Sequence, residues 1–207
     1  MPPDNVQARG AAAGQGKVQQ MQVELTELPG VVVLTPRRFG DARGWFSETF
    51  SARAMAEAGL EADFVQDNHS FSAAQGTVRG LHFQRPPHAQ TKLVRCTRGA
   101  IRDVAVDIRR GSPTWGKWVA VDLSADNGRQ LLVPEGFLHG FATLTPDVEV
   151  QYKCTDFYAP ETEGAVRWDD PDLAIDWGLS APPQLSAKDA VAPALADLDS
   201  PFVWGGA

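Results

Sequence analysis

The chain has 207 residues, of which 43% are apolar and 22% charged, values that suit one well-buried globular domain. Its net charge of −7 argues against nucleic acid as a partner, because nucleic-acid binding needs a basic surface that displaces counterions. The longest wholly aliphatic run, Val31–Leu34, is far too short to span a bilayer, so no membrane partner is expected.

Residues 1–20 lack the apolar core of a signal peptide and are predicted to form a mobile tail before a single domain over residues 21–207. One helix is predicted over Ala52–Ala58, with Ser51 as its N-cap and Gly59 as its stop, and a second helix from Ser186. Short β-runs separated by turns dominate the rest, which predicts an all-β fold, best fitted by a jelly-roll β-sandwich. The predicted strands are Val31–Leu34, Phe64–Val65, Val78–Phe83, Lys92–Cys96, Ile101–Ile108, Trp118–Leu123, Gln130–Val133, Phe141–Leu144 and Glu149–Lys153.

Two cysteines, Cys96 and Cys154, occur without a CxxC pair, so neither a disulfide framework nor a structural zinc site is predicted. This usage favours a reducing, cytoplasmic location. A near-match to a phosphate-binding P-loop at Gly111–Trp118 lacks the final hydroxyl and is followed by a strand pattern instead of a helix. Nucleotide hydrolysis is therefore not expected.

His139 ends the segment Pro134-Glu-Gly-Phe-Leu-His139, a PxGxxH pattern common in cupin barrels, where the histidine often binds a metal. The other half of such a site usually contains HxH followed by a glutamate, whereas this sequence has His82-Phe83-Gln84. Glutamine is a poor ligand for the softer metals that favour imidazole. The sequence therefore predicts a cupin-type barrel without a metal.

His82 can then serve as a general base, because an imidazole titrates near neutral pH, although a hydrogen-bonded structural histidine is the alternative. Strict strand alternation places His82 on one face with Gly80 and turns Arg79 to the other. Both side chains serve one site only if Gly80 marks a bulge or twist, as strand glycines often do. Lys92 shares a face with Val94, which indicates either an inward ammonium with an anionic partner or an edge lysine facing water.

Several acidic and phenolic side chains have more than one interpretation. Asp189 ends an S-x-x-D pattern typical of a helix cap. Asp103 and Asp107 alternate within an apolar strand, and either could orient an imidazole. Tyr152 and Tyr158 flank a strand end, where packing with a surface hydroxyl is the alternative to a functional role.

Read together, these segments closely resemble the dTDP-4-dehydrorhamnose 3,5-epimerase family, from about Val23 to about Leu195. The resemblance rests on seven ordered blocks: FGDARG at 39–44, FVQDNHS at 64–70, RGLHFQ at 79–84, KLVRC at 92–96, DVAVDIR at 103–109, PEGFLHGF at 134–141 and LSAKD at 185–189. The tail from Ser200 to Ala207 has no part in it and no assigned role.

This resemblance implies a cupin-type jelly roll that forms a homodimer by exchanging N-terminal strands and uses no metal or other cofactor. The implied substrate is dTDP-4-keto-6-deoxy-D-glucose, inverted at C3 and C5 to dTDP-4-keto-L-rhamnose for dTDP-rhamnose biosynthesis. Its C4 carbonyl acidifies the C3–H and C5–H bonds, so a base can remove either proton and leave an enolate.

The resemblance also implies roles for individual residues. His82 would be the base in a dyad with Asp189, which removes the cap-only interpretation of that aspartate. Lys92 would stabilise the enolate oxygen, and Tyr152 would return a proton from the opposite face. The residues implied to contact the sugar or the nucleotide are His139, Tyr158, Arg43, Glu48, Gln66, Asp67, Asn68, Arg79, Glu163 and Lys188.

Two other functions stay open at this point. A relative that inverts only C3 would use the same residues in another deoxysugar pathway. A sugar-binding jelly roll without catalysis would have no use for His82, Lys92 and Tyr152 around one space.

Overall fold

The structure is a computed structural model that describes residues 21–205, so the predicted tail over residues 1–20 lies outside the described part. Within this range the chain forms one α-helix and thirteen β-strands. The helix is α1 (Ala52–Glu57). The strands are β1 (Met21–Leu25), β2 (Val32–Pro36), β3 (Arg38–Asp41), β4 (Gly44–Ser47), β5 (Gln66–Ser72), β6 (Val78–Gln84), β7 (Lys92–Arg98), β8 (Ala100–Asp107), β9 (Trp118–Ser124), β10 (Gln130–Val133), β11 (Phe137–Thr143), β12 (Val148–Cys154) and β13 (Glu163–Ala165).

Two antiparallel sheets make up the body of the fold. One has the strand order β1-β2-β10-β7-β12-β5, and the other has the order β13-β6-β11-β8-β9. Strands β3 and β4 form a separate hairpin. This arrangement confirms the predicted all-β, cupin-type jelly roll with a short helix.

Period-two alternation explains which side chains fill the space between the sheets. Val94 and Val150 of the six-stranded sheet pack in one cluster with Ala105 and Phe141 of the five-stranded sheet. The opposite face of the five-stranded sheet is covered by the C-terminal segment, which includes Trp177. The polar end of the interior, where alternation brings charged residues inward, becomes the candidate site described below.

Helix α1 follows the predicted capping chemistry. The Ser51 hydroxyl accepts a hydrogen bond from Ala54 N at 3.4 Å, and Gly59 takes a positive φ of 73° just beyond the C-cap. Met55 of α1 packs on the outer face of the six-stranded sheet. No helix within residues 21–205 is long and apolar enough to cross a membrane.

The structure corrects three of the predicted elements. The strand predicted at Phe64–Val65 begins instead at Gln66, as β5. This strand is polar, and inward side chains near its end line a cavity. Strand β11 begins at Phe137, since the PxGxxH segment is itself paired with β8. The helix expected from Ser186 is a single 3₁₀ turn at Asp189–Val191.

Candidate active site

Strand β6 contains the bulge that was predicted as the condition for Arg79 and His82 to serve one site. His82 is opposite His139 and Arg79 is opposite Phe141, so three steps along β6 match two along β11. Gly80 has φ of 128°, and a Cβ there would lie 2.5 Å from the Gly140 Cα, so the extra residue has to be glycine. Because of the bulge, Arg79 and His82 both line one cavity.

That cavity has a volume of about 700 Å³ and lies between the two sheets, with the segment around Ser186 along one side. Seven of the residues predicted from the sequence line it: Arg79, His82, Lys92, His139, Tyr152, Lys188 and Asp189. They come from four strands and one loop, and only the fold brings them together.

The His82 imidazole and the Asp189 carboxylate form a dyad. The distance from Nε2 to Oδ1 is 2.6 Å, and Asp189 is only 3% exposed. Burial would raise the pKa of Asp189, but the hydrogen bonds from His82 and Ser186 lower it, so the group stays ionised. Asp189 N also donates to the Ser186 hydroxyl at 3.1 Å, so the capping contact and the dyad coexist.

His139 forms a second pair with Asp103, in which Nε2 lies 2.8 Å from Oδ1. Asp103 is fully buried, and its other carboxylate oxygen has no partner among the described residues. Asp107 has a different role, because it accepts hydrogen bonds from Arg109, Ser112 and Thr114. Of the two aspartates, Asp103 is therefore the one that orients an imidazole, that of His139.

Lys92 and Tyr152 project into the cavity from neighbouring strands of the six-stranded sheet. Burial lowers the pKa of the Lys92 ammonium, an effect that Cys154, Asp103 and Glu163 oppose. Burial raises the pKa of the Tyr152 phenol, which keeps it protonated. A partly buried lysine and a protonated phenol therefore lie along the same space as the His82 dyad.

The predicted contacts to the sugar nucleotide fall into three groups. Arg79 is fixed by Ser72 Oγ at 3.2 Å and by the Phe71 carbonyl at 3.0 Å, which orients its guanidinium along the cavity wall. Glu163 lies close by, and burial would raise its pKa, but hydrogen bonds from Lys188 and Tyr158 lower it. These four predicted residues, Arg79, Tyr158, Glu163 and Lys188, thus lie in or beside the cavity.

Strand alternation separates the other predicted polar contacts. Gln66 Nε2 donates to Asn68 Oδ1 at 3.1 Å, and Asn68 donates to Cys154 Sγ at 3.6 Å. Asp67 points to the outer face, where Lys153 Nζ lies 2.9 Å away. Within this chain, Asp67 therefore lines a separate outer cavity of about 430 Å³.

Arg43 and Glu48 lie away from the cavity of their own chain. Arg43 pairs with Asp41 on the β3–β4 hairpin, and its side chain is 90% exposed. Glu48 follows the hairpin and is exposed as well. One chain by itself does not bring these two residues to the other predicted contacts.

Gln84, which replaces the second histidine of HxH, has a structural role that the sequence did not reveal. Its amide nitrogen donates to the carbonyls of His88 and Phe157, and its oxygen accepts from Ala159 N. All three partners are loop backbone groups, so the sequence offers no local signal for them. Among residues 21–205 no group of three or more His, Cys, Asp or Glu side chains is placed to hold a metal.

Comparison with known proteins identifies the relatives of this chain. Residues 25–197 match the family model of dTDP-4-dehydrorhamnose 3,5-epimerase. The Salmonella typhimurium enzyme of that name is 52% identical over 176 residues, which cover 84% of this chain and 96% of that protein.

Two solved structures extend the comparison. The Legionella pneumophila dTDP-6-deoxy-D-glucose-3,5-epimerase, in complex with dTDP-4-keto-L-rhamnose, is 47% identical with a TM-score of 0.82, covering 86% of this chain and 95% of that one. A 3'-monoepimerase of Streptomyces bikiniensis, in complex with dTDP-quinovose, is 36% identical with a TM-score of 0.78, covering 83% and 86%. The chain belongs to the dTDP-4-dehydrorhamnose 3,5-epimerase family, as the resemblance in its sequence predicted.

Proposed function

We propose that the cavity epimerises dTDP-4-keto-6-deoxy-D-glucose at C3 and C5, with His82 as the base that removes each proton. The 2.6 Å contact between His82 Nε2 and Asp189 Oδ1 carries this proposal. This contact fixes the His82 tautomer that carries its proton on Nε2. The other ring nitrogen, Nδ1, has no partner among the described residues and is free to accept a proton from carbon. The buried, ionised Asp189 then supports the imidazolium that forms.

Lys92 and Tyr152 complete the proposed reaction. As a C–H bond breaks, negative charge moves onto the C4 oxygen, and a desolvated ammonium aimed at that oxygen stabilises it more strongly than a hydrated one. Tyr152 stays protonated because burial raises its pKa, so it can deliver a proton to the face opposite His82. Removal from one face and return to the other inverts the centre. This chemistry calls for no metal or redox group.

Arg79 is proposed to bind the diphosphate, supported by its position in the cavity and its anchoring by Ser72. The nucleotide is held alike in the ground and transition states, so Arg79→Ala should raise KM and leave kcat nearly unchanged. The expected increase is about 10- to 100-fold, from the roughly 1.5–3 kcal/mol of a hydrogen bond to a charged group.

Steady-state kinetics and calorimetry with dTDP check this prediction. Arg167→Ala is the matched control, because Arg167 pairs with Asp169 at the surface. Equal dTDP affinity in Arg79→Ala and wild type would remove Arg79 from the site.

We also propose the homodimer by strand exchange, in which Arg43 and Glu48 of one protomer reach the cavity of its partner. The exposure of the hairpin supports this, since Phe39, Trp45 and Phe46 are 40%, 59% and 69% exposed. These aromatic side chains would be costly to leave in water and suit an interface.

Mixed dimers test the exchange directly. Arg43→Ala and His82→Asn should each lose activity at low substrate, but refolding the two together should restore part of it. The heterodimer then has one cavity with both lesions and one with neither. If each cavity is built from a single chain, the mixture gives no more than the sum of the separate variants.

A C3-only reaction is the second candidate, and the related 3'-monoepimerase of Streptomyces bikiniensis is the observation that favours it. Proton NMR of the product separates the two, because only C3 would change configuration. A cytoplasmic location is proposed too, supported by Cys96 and Cys154, which are buried thiols outside any disulfide.

A further inference from the structure

The C-terminal segment beyond the family match lies behind the candidate active-site cavity, which is called the active cavity from here on. The family model ends at residue 197, and the segment continues to Val203, which forms an isolated parallel bridge with Arg110 just after β8. Arg110 N donates to the Phe202 carbonyl at 3.0 Å, and Trp204 N donates to the Arg110 carbonyl at 2.9 Å. Ser200 is 1% exposed and donates its hydroxyl to the Ile108 carbonyl. This segment, residues 199–204, is called the C-terminal strap below.

Alternation along the strap directs its two aromatic rings inward. The Phe202 ring meets the Phe83 ring edge-on at 6.0 Å. The Trp204 ring stacks on the Arg109 guanidinium at 4.3 Å, and that group stacks on Phe137 at the same distance. Val203 between them is 65% exposed. The strap is therefore anchored by backbone bonds and by rings that rest on residues of the barrel.

A small void separates Phe202 from the active cavity. Its volume is about 10 Å³, room for about one water molecule, and it is lined by Phe83, Gln84, Gln90, Lys92, Val133, Glu135, Gly136, Phe137, His139 and Phe202. Lys92 and His139 also line the active cavity. The same ammonium therefore borders the substrate space in front and this void behind, and the ring of Phe202 forms one wall of the void.

We infer that Phe202 is a positioning residue that closes the rear of the active cavity to bulk water, leaving at most the one-water void behind Lys92, and so keeps the Lys92 side chain largely desolvated. The inference rests on the proposed role of Lys92 toward the enolate oxygen. A cation that is hydrated from behind is screened, and its attraction for a developing negative charge falls as the local dielectric constant rises. The strap thus strengthens the transition-state contact without touching the substrate.

Titration of Lys92 tests the inference without requiring turnover. The chain has five lysines, at positions 17, 92, 117, 153 and 188, so ¹³C labelling of the lysine ε-carbon gives few NMR signals, and Lys92→Met assigns one of them. The groups that face Lys92 and shape its titration are Cys154, Asp103, Glu163, His139, His82, Tyr152 and Glu135. All of them remain in the Phe202 variants, so a change in titration reports solvent access.

Phe202→Ala should move the titration of Lys92 to higher pH, because burial lowers the pKa of that ammonium and water would relieve the burial. Phe202→Leu, which keeps most of the apolar volume, should give a smaller shift. Val203→Ala, a truncation of the exposed neighbour on the same strap, should give none. A Lys92 titration that is the same with Phe, Leu and Ala at position 202 would overturn the inference.

The kinetic consequence is a fall in kcat with KM little changed. A loss of about 10-fold is expected for Phe202→Ala, short of the roughly 10²–10³ that follows complete loss of one stabilising donor. The high-pH limb of the rate profile should move upward with the Lys92 titration. If the wild type turns over no substrate, the proposed function fails, while the NMR series still decides whether Phe202 shields Lys92.

Discussion

His82→Asn should abolish measurable epimerisation while leaving the affinity for dTDP close to that of the wild type. Removing a positioned base typically costs about 10²–10⁴ in rate, and here the same imidazole would serve both C3 and C5. Nucleotide contacts such as Arg79 stay in place. Product formation is followed by NMR and dTDP binding by calorimetry.

His88→Asn is the matched control for that variant. His88 also pairs with an aspartate, Asp156, at 3.0 Å, but its side chain is 41% exposed and is not part of the cavity lining. It should retain wild-type turnover. Deuterium exchange at C3 or C5 by His82→Asn at the wild-type rate would show that another group is the base.

Asp189→Asn completes the test of the dyad, because the substitution separates the cap from the catalytic role. The capping bond uses the backbone nitrogen of residue 189, so asparagine preserves it. Its side-chain amide, however, would donate to His82 Nε2 and favour the tautomer with the proton on Nδ1, the nitrogen that has to accept the substrate proton. A comparable substitution in a serine-protease triad lowers kcat about 10⁴-fold, and a similar loss is expected here with unchanged thermal stability.

Tyr152→Phe is expected to separate exchange from inversion. His82 remains, so the C–H bond should still break and the enolate should still form beside Lys92. Without the phenol, protonation from the far face depends on water, and most enolate should recover a proton from the His82 side. Deuterium from D₂O should then enter the substrate with retained configuration, while net inversion falls steeply.

The ratio of inversion to exchange is the quantity that decides the role of Tyr152. Tyr158→Phe is a suitable control, since Tyr158 is 58% exposed, bonds to Glu163 at 3.2 Å and is not part of the cavity lining. It should leave the ratio unchanged. If Tyr152→Phe also keeps the wild-type ratio, or loses exchange and inversion together, the phenol is not the acid.

The sequence predicted the fold and the bulge well because both leave local signals. Short β-runs between turns indicated the sandwich, and a glycine between Arg79 and His82 was the sole means of placing both on one side. Helix α1 was predicted from Ser51 and Gly59 in the same way. Strand β5 was misplaced because its more buried positions, Gln66, Asn68 and Ser70, are polar, so the strand lacks the apolar alternation that marks a buried face.

Long-range pairings had no such signal. Residues alone left Asp103 and Asp107 equivalent, and only the pairing of β8 with β11 sets Asp103 beside His139. The Asp189 dyad joins residues 107 positions apart, and its prediction came from the family resemblance. Gln66, Asp67 and Asn68 were treated as one group of contacts, yet alternation turns the middle residue to the outer face. The role of Phe202 depends on a strap outside the family match.

Incubation of the wild-type enzyme with dTDP-4-keto-6-deoxy-D-glucose in D₂O tests the proposed proton transfers most directly. Proton abstraction by His82 and return by Tyr152 predict a product that carries solvent deuterium at both C3 and C5, each with inverted configuration. Product that retains substrate hydrogen at either carbon, or that is labelled and inverted at C3 alone, would contradict epimerisation at both centres by this route.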